Sequence, residues 1–273
     1  MTTVPADAPT ILATSGGLRA GRRTEWEFGA LVHHAVELSG VHGRAPRLCT
    51  VGTATGDQAH HAGRIADAGR VAGFETTRLD LFPMPSVEDV EAHLLAQDVV
   101  WVMGGSVVNL LAVWRAHGLD AVFRRVWEAG VVLAGVSAGS LCWHVGGSTD
   151  SFGPQLRPVT DCLGLLPYGN APHYDSEAQR RPLTHRLVAD GTLPTSYCAD
   201  NGVGCATAAP SSSRRSPSGP ARAPTWCGGR STARRSRSAS NRARCRREQA
   251  NHRTQPRGLR RAPGCGMIPA CGW

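Results

Sequence analysis

The sequence contains no lysine; all 30 of its basic residues are arginine. It has no apolar run approaching the length of a membrane span, so no transmembrane helix is expected. The opening residues, MTTVPADAPT, have neither a basic n-region nor an apolar h-region. No secretory leader is expected, and a cytoplasmic location follows by default. Nine cysteines are present, but no pair has C-x-x-C spacing, and the count is odd. They read as buried or incidental thiols rather than zinc ligands, so no metal is expected. Acidic residues are nearly missing from one region only. From Cys205 onward Glu248 is the single acid against 15 arginines. The formal net charge of +9 therefore divides into +14 for that tail and −5 for the rest. At 273 residues the chain can form one large domain or two small ones.

Up to about residue 204, apolar strands alternate with amphipathic helices. PTILATSGG reads as a first strand ending in a glycine turn. TEWEFGALVHHAVELSG reads as a helix with Trp26, Leu31, Ala35 and Leu38 near one face. RLCTVGTATGD, ETTRLDLF, DVVWVMGGS and VVLAGVSAG read as further strands. HHAGRIADAGRVAGF, VEDVEAHLLAQ (with Pro85-Ser86 at its start) and VVNLLAVWRAHGLDAVFRRVWEAG read as helices. This alternation predicts an α/β fold, with a doubly wound, mostly parallel sheet covered by helices on both faces. In such sheets the chemistry lies beyond the carboxyl ends of the strands. Gly104-Gly105 and Gly135–Gly139 both sit at strand ends.

Residues 205–273 are a different material, rich in Arg, Ser, Pro, Ala and Gly without periodicity. They cannot bury enough apolar surface to offset chain entropy, so a disordered basic tail is expected, as is a flexible N-terminus over 1–8. An arginine-rich arm attracts phosphate without sequence preference. A second explanation fits better. The missing lysine points to a GC-rich gene, in which an out-of-frame reading yields Arg, Ala, Pro, Gly and Ser. Codons allowed for CATAAPSSSRRS can be read, two bases later, as RYRGTELVEAV. That is an alternating strand and turn. The tail is therefore expected to be a frameshift product beginning at Gly204-Cys205, in the organism or in the sequencing.

Ser137 lies in Gly135-Val136-Ser137-Ala138-Gly139 at the end of an apolar run. A G-x-S-x-G turn from strand to helix holds a serine in a strained conformation with its hydroxyl exposed. The following helix, starting near Ala138, aims free N–H groups at developing negative charge. A serine nucleophile needs a base within reach. His173, in Ala171-Pro172-His173-Tyr174-Asp175, is the histidine in a strand-end, loop-like setting. A third group must orient the imidazole, and Asp150, Asp175, Glu177 and Asp200 are candidates. Backbone N–H groups at Gly104-Gly105 and Ala138 could bind an oxyanion.

The strings VMGGSVVNLLAVWRAHGLD, AGVSAGSLCWHVGGSTDSFGPQLRPVTDCLGLLP, APHYDSEAQRRPLTHRLV and YCADNGVG together resemble the peptidase E (α-aspartyl dipeptidase) family. That family is related to cyanophycinase and has a class I glutamine amidotransferase-like, flavodoxin-like three-layer sandwich. The resemblance covers residues 9–204. It implies that Ser137 is the nucleophile, His173 the general base and Asp150 the third member, with Asp200 an alternative acid. It also implies that Gly105 and Ala138 N–H groups form the oxyanion hole. Two positions depart from the family pattern. Asn201 stands where related members carry an acid, and Ser106 ends a turn that is usually G-G-G-N. Family members continue past this point with text like the shifted reading of the tail.

The implied reaction is serine-dependent hydrolysis of small peptides, chiefly dipeptides with an N-terminal aspartate. It needs no metal or organic cofactor. Recognising a carboxylate calls for a cation, and Arg180, Arg181 and Arg186 are candidates, with a surface-helix role open for each. The expected partner is the small peptide. A membrane is not expected, nucleic acid is disfavoured, and a homodimer is left open. Two other functions stay in view: a non-catalytic amidotransferase-like binding domain, and a nucleic-acid binder acting through the tail.

Overall fold

The computed structural model describes residues 8–209 and the strands at 225–227 and 267–269. The chain enters through β1 (Thr10–Thr14), a hairpin of β2 (Leu18–Ala20) and β3 (Trp26–Phe28), and α1 (Ala30–Ser39). Strands and helices then alternate through β4 (Arg47–Val51), α2 (Ala59–Ala72), β5 (Glu75–Leu79), α3 (Val90–Leu95) and β6 (Val99–Val102). Next come α4 (Val107–Ala116), α5 (Leu119–Glu128), β7 (Val132–Val136) and the short α6 (Ala138–Leu141). The remainder is β8 (Gly146–Thr149), β9 (Arg157–Val159), β10 (Gly169–Pro172), α7 (Arg180–Ala189), β11 (Ser196–Ala199), β12 (Gly204–Ala208), β13 (Thr225–Cys227) and β14 (Met267–Pro269).

Seven strands form the main sheet in the order β13-β12-β1-β7-β6-β4-β5. The run from β1 through β7, β6 and β4 to β5 is parallel. β12 pairs antiparallel with β1, Thr10 opposite Ala208 and Thr14 opposite Gly204. Alternate strand residues serve opposite faces, as a period of two requires. Leu12, Leu48, Val99, Trp101 and Val132 pack with α1 and α2 through Val32, Ala35, Ile65 and Ala68. Their neighbours Ile11, Cys49, Val100, Val102 and Leu133 pack with α3 to α6 through Leu94, Leu110, Trp114, Phe123 and Leu141. Both faces are thus covered, which is the doubly wound α/β architecture the sequence predicts.

A second sheet, β14-β11-β10-β8-β9, stands beside the first. Its strands are three or four residues long. Sequence periodicity does not reveal strands that short.

Three boundaries differ from the sequence reading. Trp26 lies in β3 rather than on a helix face, because Gly29 is extended (φ −87°, ψ 179°) and α1 starts only after it. The long helix expected from residue 107 breaks into α4 and α5 at Gly118, which is left-handed at φ 67°. The helix expected from Pro85-Ser86 begins instead at Val90, where Asp89 caps it by accepting the Ala92 N–H at 2.9 Å.

β12 carries the main sheet to Ala208, past the expected domain boundary at 204. Cys205, Ala206 and Thr207 are buried there, so these residues belong to the sheet rather than to a tail. Residues 1–7 of the expected flexible N-terminus lie outside the described residues. So do 210–224, 228–266 and 270–273 of the expected disordered tail.

Candidate active site

Beyond the carboxyl end of β7 the chain reverses into α6, with Ser137 at the bend. Its backbone, φ 57° and ψ −114°, lies in a region that side-chain-bearing residues rarely adopt. Neighbours hold it there. Ser137 N–H donates to Thr14 O at 3.0 Å, and the Ser140 and Leu141 N–H groups donate to Ser137 O at 2.9 Å. Ser140 Oγ also donates to Ser137 O at 2.8 Å, and Asn170 Nδ2 donates to Ser140 Oγ at 3.0 Å. β10, in the second sheet, thereby braces the bend through Asn170. The flanking glycines follow from close packing on β6. A Cβ at Gly139 would stand 2.1 Å from Val102 O, and one at Gly135 would stand 2.4 Å from Gly139 O.

The turn after β6 lies against this bend. A Cβ built on Gly104 would be 3.2 Å from Ser137 Cβ and 3.8 Å from Ser137 Oγ. Gly105 has φ 140° and sits on the Ala54 carbonyl, where no side chain fits. Among the described residues, neither the Gly105 N–H nor the Ala138 N–H donates to another group. The Ala138 N–H opens a helix and has no intrahelical acceptor. Two amides are thus uncommitted beside one half-buried serine.

His173 follows the last residue of β10 and also has a positive φ, 55°. Its N–H donates to Ser15 Oγ at 3.2 Å, and Ser15 Oγ donates to Ala199 O at 3.0 Å. Consecutive residues at the end of β1 therefore grip the two candidate groups, Thr14 the serine amide and Ser15 the histidine amide. No hydrogen bond joins Ser137 Oγ to the His173 ring. In unliganded active sites such a bond is often long and tightens on substrate. The ring is oriented from its other side: Nδ1–H donates to Asn201 Oδ1 at 2.5 Å. That leaves Nε2 with its lone pair as the acceptor.

None of the candidate acids hydrogen-bonds the His173 ring, which pairs with Asn201 instead. Asp150 is exposed beyond β8, where its carbonyl accepts the Gly153 N–H at 2.9 Å. It lines a shallow depression with Pro154, Leu156, Glu177 and Gln179, and makes no hydrogen bond to His173. Asp200 precedes the orienting residue, and its Oδ1 is buried without a partner. Burial, and then Asp175, push its carboxyl up from the usual range, while Arg181 opposes them.

The three arginines also separate. Arg180 is 3% exposed. Its guanidinium donates to Ser148 O and pairs with Glu177. Its terminal nitrogens are thus taken by the fold, while its Nε is buried without a partner. Arg181 is exposed, 4.9 Å over the Tyr174 ring, and electrostatically opposes the rise of the Asp200 carboxyl. Arg186 is exposed in the last turn of α7, near Asp190.

Sequence reasoning missed Ser15, Ser140, Asn170 and His144. His144 is buried, and its Nδ1–H donates to Ser140 O at 2.9 Å, under the serine bend. Burial lowers its pKa to about 4, so it is neutral and structural. Asn201 stood out in the sequence only as a departure. Its pairing with His173 spans 28 residues and has no local signal. Among the described residues, no cluster of His, Cys, Asp and Glu is arranged to hold a metal ion. No helix among them is long and apolar enough to cross a membrane.

What this arrangement can do is nucleophilic acyl transfer: a strained serine, two free amides and a tautomer-fixed imidazole converge beyond one end of the sheet. Comparison with known proteins agrees. Residues 12–206 match the model of peptidase family S51. The uncharacterized peptidase YgaJ of Bacillus subtilis (strain 168) is 40% identical over 157 residues, which cover 58% of this chain and 67% of that protein. Two solved structures share the fold. One is a Listeria monocytogenes EGD-e protein named as a peptidase E, with TM-score 0.50 and 18% identity, covering 73% of this chain and 94% of that one. The other is a peptidase from an acI-B1 Actinobacterium, with TM-score 0.52 and 15% identity, covering 76% and 85%.

Proposed function

The chain belongs to peptidase family S51 and is a serine-type peptidase; from that premise we propose that it hydrolyses small peptides, chiefly dipeptides with an N-terminal aspartate, through Ser137, His173 and Asn201. Ser137 Oγ attacks the scissile carbonyl carbon as its proton passes to His173 Nε2. The C=O π bond becomes an oxyanion, held by the Gly105 and Ala138 N–H groups. The tetrahedral intermediate collapses, the C–N bond breaks, and Nε2–H gives its proton to the leaving amine. Water then attacks the acyl ester by the same route in reverse, returning the proton to Ser137. Arg181 takes the carboxylate of an aspartyl side chain in this reading, a role supported by its exposure, whereas Arg180 already donates to Ser148 and Glu177.

One observation carries this reading: Thr14 and Ser15, adjacent at the end of β1, hold the backbones of Ser137 and His173. A serine and a histidine 36 positions apart are thereby tied to consecutive residues of one segment, both at positive φ, which supports their acting together. Such strain persists only where surrounding structure over-determines it.

The test is labelling by a fluorophosphonate together with hydrolysis of Asp-X dipeptides. Both are expected in the wild type, and both should vanish in Ser137→Ala. A wild-type chain that is folded, unlabelled and inert towards Asp-X and other dipeptides overturns the proposal in favour of a binding domain.

A further inference from the structure

The group that orients His173 is itself held by a carboxylate. Residues 200–203 form a tight turn, with Val203 N–H donating to Asp200 O at 3.1 Å and Gly202 at φ 79°. This fits a type II turn with glycine in its third position. In such a turn the amide of the second residue, Asn201, has no acceptor. Here it donates to Asp175 Oδ1 at 2.9 Å. The Asn201 side chain meanwhile takes the His173 Nδ1 proton at 2.5 Å. Asp175 is two residues from His173, so the bonds close a small ring joining the His173 loop to the 200–203 turn. The loop needs such a tie. A side-chain-bearing residue at positive φ costs on the order of 1–2 kcal/mol. Other bonds fix the loop to its surroundings: His173 N–H to Ser15 Oγ, Tyr174 N–H to Ala199 O at 3.1 Å, and the Tyr174 hydroxyl to His185 Nε2 at 2.9 Å.

We propose that Asp175 is a positioning residue of the peptidase: its carboxylate clamps the 200–203 turn so that Asn201 keeps His173 as the Nδ1–H tautomer, with Nε2 open toward Ser137. The inference rests on the Ser137–His173 reading given above. Asp175 does not reach the reacting atoms. It acts through the Asn201 amide, and the relevant property is its ability to accept a hydrogen bond rather than its charge. Without the clamp the turn can shift, the Nδ1 acceptor is lost, and the neutral ring redistributes to a form whose Nε2 carries a proton. That form cannot take one from a serine.

The experiment compares Asp175→Ala, Asp175→Asn and Asn201→Ala in the full chain. The first removes the acceptor. The second keeps an acceptor of the same shape and removes the charge. Nitrogen-15 spectra of the His173 ring at neutral charge report the tautomer whether or not a substrate turns over. The wild type and Asp175→Asn are expected to show one protonated Nδ1 and one bare Nε2. Asp175→Ala and Asn201→Ala are expected to show averaged nitrogens. On Asp-X substrates, kcat of Asp175→Ala should fall by about 10- to 100-fold with KM nearly unchanged, the loss expected of small misplacements. Asp175→Asn should stay within a few-fold of the wild type. An unchanged ring spectrum in Asp175→Ala, or equal losses in Asp175→Asn and Asp175→Ala, overturns the clamp. An inert wild type with the expected spectra would instead sink the peptidase reading and leave the clamp standing.

Discussion

Asn201→Asp exchanges the acceptor of the His173 Nδ1 proton for a carboxylate of the same size. The bond there is 2.5 Å and neutral. A charge-assisted bond in its place is roughly twice as strong. The larger effect comes in the transition state. As the Ser137 proton reaches Nε2, the ring gains a full positive charge, centred about 4 Å from the new carboxylate; at an effective dielectric near 20 that attraction is about 4 kcal/mol. Residue 201 is exposed to water, and exposed pairs measure at most about 1 kcal/mol. A value slightly above that limit, about 1.4 kcal/mol, corresponds to a tenfold rise in kcat. Asp175 and Asp200 already crowd this corner, and Asp175 helps to push the Asp200 carboxyl up. A third carboxylate is repelled by both, so the gain belongs to neutral and alkaline solution and fades in acid. Initial rates on an aspartyl anilide across that range, for wild type, Asn201→Asp and Asn201→Ala, measure it. If Asn201→Asp is no faster than wild type in alkaline solution and Asn201→Ala is no slower, residue 201 does not orient the base and the reasoning fails.

Gly139→Ala places a Cβ 2.1 Å from the Val102 carbonyl; overpacking of this kind costs about 1–3 kcal/mol, and an unchanged thermal midpoint would contradict the packing described. Ser15→Ala removes the acceptor of the His173 N–H and the donor to Ala199 O, for about 1 kcal/mol each; kcat should drop more than KM rises, and a pure KM effect would count against the shared grip of β1. Arg180→Met strands the Glu177 carboxylate and the Ser148 carbonyl, and should lower stability by about 2–3 kcal/mol, below the full cost of a buried pair because Glu177 is partly exposed. Arg181→Ala should leave stability alone and raise KM for aspartyl substrates; the opposite assignment of effects would refute both placements. His144, lowered to about 4 by burial, binds a proton in the unfolded chain before the folded one. Its contribution is therefore complete above the unfolded value near 6.5 and is lost as pH falls toward 4, at most about 3 kcal/mol. Denaturant midpoints that do not fall across that window would overturn this. Sequencing the gene across codons 200–216 should show codons that read RYRGTELVEAV in the shifted frame; incompatible codons end that explanation of the tail.

The main sheet was legible because its central strands, VVWV and VLAGV, are apolar on both faces and each is followed by a glycine turn. Helix ends were less legible, because they depend on single residues such as Gly29, Asp89 and Gly118 acting against a continuous periodic pattern. The second sheet was hidden: GGST, GNAP and SYCA have too few residues to show alternation. At the site, Ser137 and His173 each carried a local mark, a glycine-flanked turn and a strand-end position. Asn201 and Ser15 carried none, because their importance comes from contacts across 28 and 158 residues. Resemblance pointed to Asp150, which makes no hydrogen bond to the His173 ring and lines a depression with Glu177.

β1 is the first strand made, yet it lies between β7 and β12, and its Thr10 meets Ala208. Contacts this distant along the chain form late and slowly. A ribosome that has already released Ser137 and His173 still holds the segment that must close over the other edge of β1. The edge of the sheet beside β1 can therefore close only after Ala208 has been made, later than the serine bend and the histidine loop.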